Sequence, residues 1–382
     1  MVNYVFLSVY FYSVPNLRFS SFADPFRIYT LKEVLQRISF PVTVDENKLY
    51  YQIGIRSHSK GIFYKEAEIG RQIGNKRIFW IEPNCLILNI VFAWEQAVAK
   101  TSEKEVGMVA SHRFPMYKVL NNSLDYIVDF FKTEKGKQLL QMASPGGAGR
   151  NKTLNQDFFL NSKIYLPSLN EQLKTSELIE LIEDRIETQI KIIDDYNSLK
   201  MGIYNCMFKE NYADYKLKQL AYIVKGDQIN NDQLLSNGSY YMMNGGASPS
   251  GYLDSYNVSE NTISISEGGN SCGYVQFNSS PFWSGGHCYT IQNVNSALIE
   301  NKYLYHYLKY KEKEIMNLRI GTGLPNIQKK DLENFTILVP SLLIQRKNLA
   351  LFEMLDEKIS ILNEELANLQ KQKKYLLCNM FI

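Results

Sequence analysis

The chain has 382 residues, of which 45% are apolar, 13% aromatic and 21% charged, with a net charge of +3. This balance excludes intrinsic disorder for most of the chain, and at roughly 100–200 residues per domain the length predicts two or three domains. The longest apolar runs, Val2 to Val14 and Cys85 to Trp94, are interrupted by Asn and Ser and fall short of the ~18–20 residues that a membrane helix needs, so the expected location is the cytoplasm.

The first 16 residues lack a cationic n-region and alternate aromatic with polar side chains, which reads as a strand rather than a signal peptide. Short β-branched and aromatic runs follow at Gly61, Arg77 and Cys85, separated by Gly, Asn and charged turns, and predict a mixed, mostly β domain. A helix is expected near 124–141, then a glycine-rich loop (144–155) leading into a last strand. From Ile179 the apolar residues recur at alternating steps of three and four, through Ile182, Ile186, Gln189, Ile193, Tyr196, Lys200 and Ile203 to Met207. That is a heptad seam, and about 38 such residues make a rod of ~57 Å at 1.5 Å per residue.

The pattern then repeats. The second copy has strand-like runs at Ser239, Asn261 and Tyr274, a helix near 302–318, a glycine-bearing loop from Arg319 and a second seam from Phe352 to Met380. Sliding the sequence by 173 residues aligns Leu166–Phe208 with Val339–Phe381, with eleven of 43 positions identical, and Lys200 and Lys373 take the same seam position. A period this long means tandem domains rather than a solenoid. The expected fold class is α+β, with domains at 1–165 and 211–338 and helices at 166–210 and 339–382 pairing as an antiparallel coiled coil.

Charge is uneven: +7 over 1–165, −4 over 166–210, −1 over 211–338 and +1 over 339–382. Nucleic-acid binding leans on cationic surface, so the second domain would need neutral donors or a partner. Catalytic motifs are missing. There is no Pro-Pro pair of the kind that amino-methylating enzymes use to hold a flipped base, no phosphate loop, and no HExxH or GxSxG around the four histidines His58, His112, His287 and His306. The acidic-x-Lys at Asp356–Lys358 lies on the rod. Glycine pairs at 245–246, 268–269 and 285–286 read as tight turns, since no helix follows them. Five cysteines without a CxxC spacing point to reduced thiols, and Cys272 and Cys288 near His287 lack the fourth ligand of a zinc site.

Two β-rich domains, each followed by a repeated helix introduced by Pro167, Leu169, Glu171 and Gln172 or by the matching Pro340–Gln345 segment, resemble the specificity subunit of a type I restriction-modification enzyme. Asn161, the glycine-rich turns at Gly149–Leu154 and Gly321–Ile327, and the stretch Leu49–Glu66 add to the likeness. Leu343 and Ile344 depart from it, standing where an acidic-containing pair is expected.

The resemblance implies two target-recognition domains, each reading one half of a bipartite DNA site, with the helices as spacer. It implies no catalysis and no cofactor in this chain. The partners would be double-stranded DNA, two methyltransferase subunits carrying S-adenosylmethionine and, where present, ATP- and Mg-dependent restriction subunits. A scaffold that joins proteins through its coiled coil, or a restriction-related enzyme, remains the alternative. For base reading the candidates in the first domain are Arg56, His58, Lys60, Arg71, Lys76 and Arg77, with Arg113 and Arg150 nearer phosphates. In the second they are the neutral donors Asn244, Ser248, Ser250, Tyr252 and Asn270.

Overall fold

A computed structural model describes residues 14–74, 76–146, 152–208, 212–321, 323 and 325–382. The chain forms two compact units, and both long helices contribute to each. The first unit takes the described residues up to Gln189 together with Glu365–Ile382, and the second takes Ile190–Glu364. The N-terminal strand expected before Val14 lies outside the described residues.

In the first unit the strand Arg27–Thr30 pairs antiparallel with Lys163–Leu166, so the segment that enters the domain is stitched to the one that leaves it. Between them an antiparallel sheet runs in the order Leu35–Ile38, Met116–Val119, Leu86–Leu88 and Val98–Lys100. The second unit repeats this plan. Ala213–Lys216 pairs with Thr336–Val339, and the sheet order is Tyr222–Lys225, Cys288–Gln292, Thr262–Ser266 and Val275–Asn278. We call the first strand of each sheet the lead strand and its neighbour the return strand. The third strand of each sheet, Leu86–Leu88 or Thr262–Ser266, is buried apart from the half-buried Thr262, as expected where both faces are covered.

The single helix expected after each sheet is two. In the first unit Leu124–Lys132 ends at Thr133, whose backbone is extended and whose hydroxyl accepts from the Gly136 amide to start Glu134–Met142. Gly136 permits this break, because a Cβ there would meet the Phe130 carbonyl oxygen at 2.2 Å. In the second unit Asn301–Tyr310 gives way to Glu312–Met316 at Lys311. Short helices, Gln156–Asn161 and Lys329–Glu333, precede each last strand where loop was expected. The first is capped by Asn155, whose Oδ1 accepts two backbone amides at 3.0 Å.

The long helices run Leu169–Met207 and Leu342–Met380, and every residue of both heptad seams is buried or half-buried. Each starts on a buried glutamine. Gln172 accepts from the Ser123 amide and donates to Asn122 and the Pro167 carbonyl. Gln345 accepts from the Glu300 amide and donates to the Leu298 and Pro340 carbonyls. These contacts occupy the amide fully, so the glutamine fixes where the helix begins. Glu171 is also buried, and Arg18 pairs with it through two 2.7 Å bonds. At the matching position Ile344 is exposed.

The seam lysines are paired across helices in the same way in both units. Lys373 meets Glu183 at 2.7 Å in the first, and Lys200 meets Asp356 in the second; these pairs coincide under the 173-residue shift. Next to each lies a buried ionisable side chain on the preceding domain helix. Asp129 bonds Lys132 at 2.8 Å, and burial, only partly offset by that lysine, raises its carboxyl to about 6. His306 Nδ1 shares a 2.8 Å hydrogen bond with the Tyr204 hydroxyl and its ring sits against Phe352. Burial first, and the Lys200 charge second, push its imidazole down to about 3, so it is neutral.

Both cores are finished by a phenylalanine just past the end of a rod helix. Phe381 packs on Tyr126 at 4.7 Å in the first unit. Phe208 packs edge-on against Tyr303 at 5.5 Å and Tyr307 at 5.1 Å in the second. The core of the first unit is therefore not made by the first domain alone, because Met380 and Phe381 belong to it.

Candidate nucleic-acid interface

In the first domain the candidate cations Arg56, Lys60, Arg71, Lys76, Arg77 and Arg113 make no ion pair among the described residues. Arg56, His58 and Lys60 sit on the exposed turn between the hairpin strands Ile53–Ile55 and Ile62–Tyr64, with Arg56 stacked over Phe63 at 5.4 Å. His58 adopts a positive φ of 59°, its amide donating to the Glu95 carbonyl. Arg71 lies in the short helix Gly70–Ile73, and Lys76 and Arg77 follow it, all exposed. Arg113 is exposed in the turn before the return strand. Arg150 lies outside the described residues.

These residues do not form one patch. Lys60 faces a cavity of about 500 Å³ that is shared with Asp125, Asp129 and Glu183. Arg77 instead lines a separate cleft of about 240 Å³ together with Arg37 and His112, neither of which the sequence singled out. No carboxylate lines this second cleft, and Arg37 and Arg77 make no ion pair among the described residues. A buried cation needs a partner; an exposed one facing an acid-free cleft is available to an anion or an acceptor-rich ligand.

In the second domain the candidate loops do converge. Asn244 and Ser250 line a cleft of about 440 Å³ with Lys225, Glu267 and His287. Asn244 is committed there to structure, since its Oδ1 accepts from the His287 amide at 3.0 Å. Ser248 and Asn270 are exposed nearby in sequence, and Tyr252 lies in the strand Gly251–Leu253 opposite Tyr241. Residues of all three glycine pairs meet at this place. A Cβ on Gly245 would press on the Gly268 carbonyl and on His287 at 3.2 Å, and one on Gly285 would meet Asn244 Oδ1 at 2.7 Å. The pairs are turns, as read, but turns gathered around one cleft.

Glu267 forms the floor. It is 8% exposed, and its Oε1 accepts from Lys225 (2.6 Å) and from the Tyr289 hydroxyl (3.0 Å). Its Oε2 has no hydrogen bond and lies 3.5 Å from Nδ1 of His287, whose side chain is 62% exposed. Cys272 and Cys288 are buried free thiols, and burial raises Cys288 to about 11. Among the described residues no group of three or more His, Cys, Asp or Glu could hold a metal ion, and no helix is long and apolar enough to cross a membrane.

Comparison with known proteins gives three results of different reach. The family profile of the type I restriction modification DNA specificity domain matches residues 209–371. Two putative type I specificity subunits are similar in sequence: one of Mycoplasma pneumoniae, 34% identical over 40% of this chain and 41% of its own length, and one of Mycoplasma genitalium, 32% identical over 33% of each. These matches span 33–41% of the curated relatives' length. A crystal structure of a type I restriction-modification system S subunit from M. genitalium shares the fold, with a TM-score of 0.66 over 97% of this chain and 99% of that one at 16% identity.

Proposed function

We propose that this chain belongs to the type I restriction modification specificity family and is the DNA-reading subunit of such a system. Each sheet domain reads one half of a bipartite site, and the paired helices set the separation of the halves. The observation that carries this reading is the specificity-domain match over residues 209–371, on a plan whose strand pair and four-stranded sheet the first domain repeats in the same order. A chain with two copies of a reader has the pseudo-symmetry with which a dimer addresses two half-sites.

On this reading the chain catalyses nothing itself and holds no cofactor. Two methyltransferase subunits would bring S-adenosylmethionine, and restriction subunits, where present, would bring ATP and Mg. Uncompensated cations in the first domain supply sequence-independent attraction. The near-neutral second domain relies on partner subunits that clamp the same duplex. Expression with a methylating subunit, followed by mapping of modified positions, tests the proposal: a bipartite motif is expected. Inserting four residues after Asn197 adds ~6 Å of helix and should change the spacing between the halves while leaving both sequences intact. A scaffold that joins proteins without touching DNA would yield no motif to change.

A further inference from the structure

Two clefts occupy the same place in the two sheets although, apart from one histidine in a turn, different side chains line them. In the first unit the cleft lies where the lead strand ends, at Arg37 and Ile38, beside the turn that opens the return strand at Met116; Ile38 and Met116 are paired in register. In the second it lies where the lead strand ends, at Lys225, beside the turn that opens the return strand after His287; Lys225 and Tyr289 are paired in register. A histidine stands in the turn each time, His112 or His287. The repeat has kept the position and exchanged the chemistry, as reading sites for two different half-sequences require.

We propose that these clefts are the base-reading sites of the two domains, the first taking guanine and the second a base with an exocyclic amine, adenine or cytosine. This rests on the function proposed above and deepens it. Arg37 and Arg77 bring two guanidinium forks to a cleft without a carboxylate, which matches the paired acceptors N7 and O6 of guanine. In the second cleft the unbonded Oε2 of Glu267 faces Nδ1 of His287. A proton on Nδ1 directed at that oxygen leaves Nε2 as a lone-pair acceptor, and an acceptor at a base edge selects the amine of adenine N6 or cytosine N4. Lys225 neutralises Glu267, so that the carboxylate does not repel the duplex. Glu267 is thus a positioning residue that acts through His287.

The test maps methylated motifs for the wild-type complex and for Arg37→Ala, Arg77→Ala, His287→Ala and Glu267→Gln, each first checked for an unchanged unfolding midpoint. If the wild type shows no bipartite motif, the proposed function fails. If it does, Arg37→Ala and Arg77→Ala should relax a guanine in one half-site, with discrimination falling ~5- to 150-fold, the value of a bidentate contact. His287→Ala should relax an adenine or cytosine in the other half-site, and Glu267→Gln should weaken preference at that same position. Unaltered motifs, a uniform loss of methylation across all sequences, or relaxation at a base of the wrong class would each overturn the assignment and leave the bipartite reading standing.

Discussion

Lowering the pH should loosen the second unit through one side chain, His306. The imidazole is neutral in the fold, held down to about 3, whereas in the unfolded chain it titrates near 6.5. Below pH ~6.5 the unfolded state therefore gains a proton that the folded state refuses. Stability is complete above 6.5 and falls by about 1.4 kcal/mol per pH unit down toward 3. Between pH 7.5 and 5.5 the loss amounts to about 1.4 kcal/mol, before most carboxylates begin to titrate. His306→Asn keeps a hydrogen-bond partner for the Tyr204 hydroxyl but cannot titrate. It should cost some packing at every pH and abolish this slope, and the comparison with wild type cancels all other groups. Urea unfolding at several pH values measures it. Trp283 is the only tryptophan of the second unit, so Trp80→Phe and Trp94→Phe in both proteins make fluorescence specific to that unit. Equal slopes for the two proteins would show that His306 is charged in the fold and that the burial argument is wrong.

The first unit should respond in the opposite sense through Asp129. Its carboxyl is raised to about 6 in the fold, so the stability that the protonated form contributes below ~3.9 is lost as pH rises through 6, about 1.3 kcal/mol of it between pH 5 and 7. Asp129→Asn should remove that loss in the urea titration when Trp80 and Trp94 are kept and Trp283→Phe makes fluorescence specific to the first unit. Phe208→Ala and Phe381→Ala should each cost about 3–5 kcal/mol and lower the midpoint of the second and first unit respectively, which hydrogen exchange resolved by segment would separate. Gln345→Ala orphans the Glu300 amide and the Leu298 and Pro340 carbonyls and should cost several kcal/mol, read as a fall in melting temperature; an effect below 0.5 kcal/mol would mean that water replaces the side chain.

The rods were legible because a period of 3.5 cannot be mistaken over nine positions, and because both copies carry it. The repeat also exposed Gln172 and Gln345 as parts of the helix start. What they do there was not legible, since their partners at Asn122, Ser123, Leu298 and Glu300 come from some 45 to 50 residues upstream. The helix break at Thr133 escaped because apolar periodicity carries on across it, although the Thr133 hydroxyl caps the second helix by accepting from the Gly136 amide. Site residues were least legible. Cations and amides can be ranked along a chain, but Arg37, Arg77 and His112 meet only through the sheet that joins strand ends far apart in sequence. Asn244 was chosen for its donors, and the fold uses its carbonyl to hold His287.

The place of Phe381 has a consequence for how the protein is made. Tyr126 packs on a ring encoded 255 positions later, whereas Tyr303 packs edge-on against Phe208, which precedes it. At ~5–20 residues per second, the ribosome leaves the first core open for roughly ten to fifty seconds after Tyr126 is added, while the second, whose core includes Phe352, can close before Phe381 is added. The domain that is translated first is thus the one completed last. A premature stop anywhere in the second rod helix would release a chain whose first domain had lost its closing residue, and proteases would meet that chain before any DNA did.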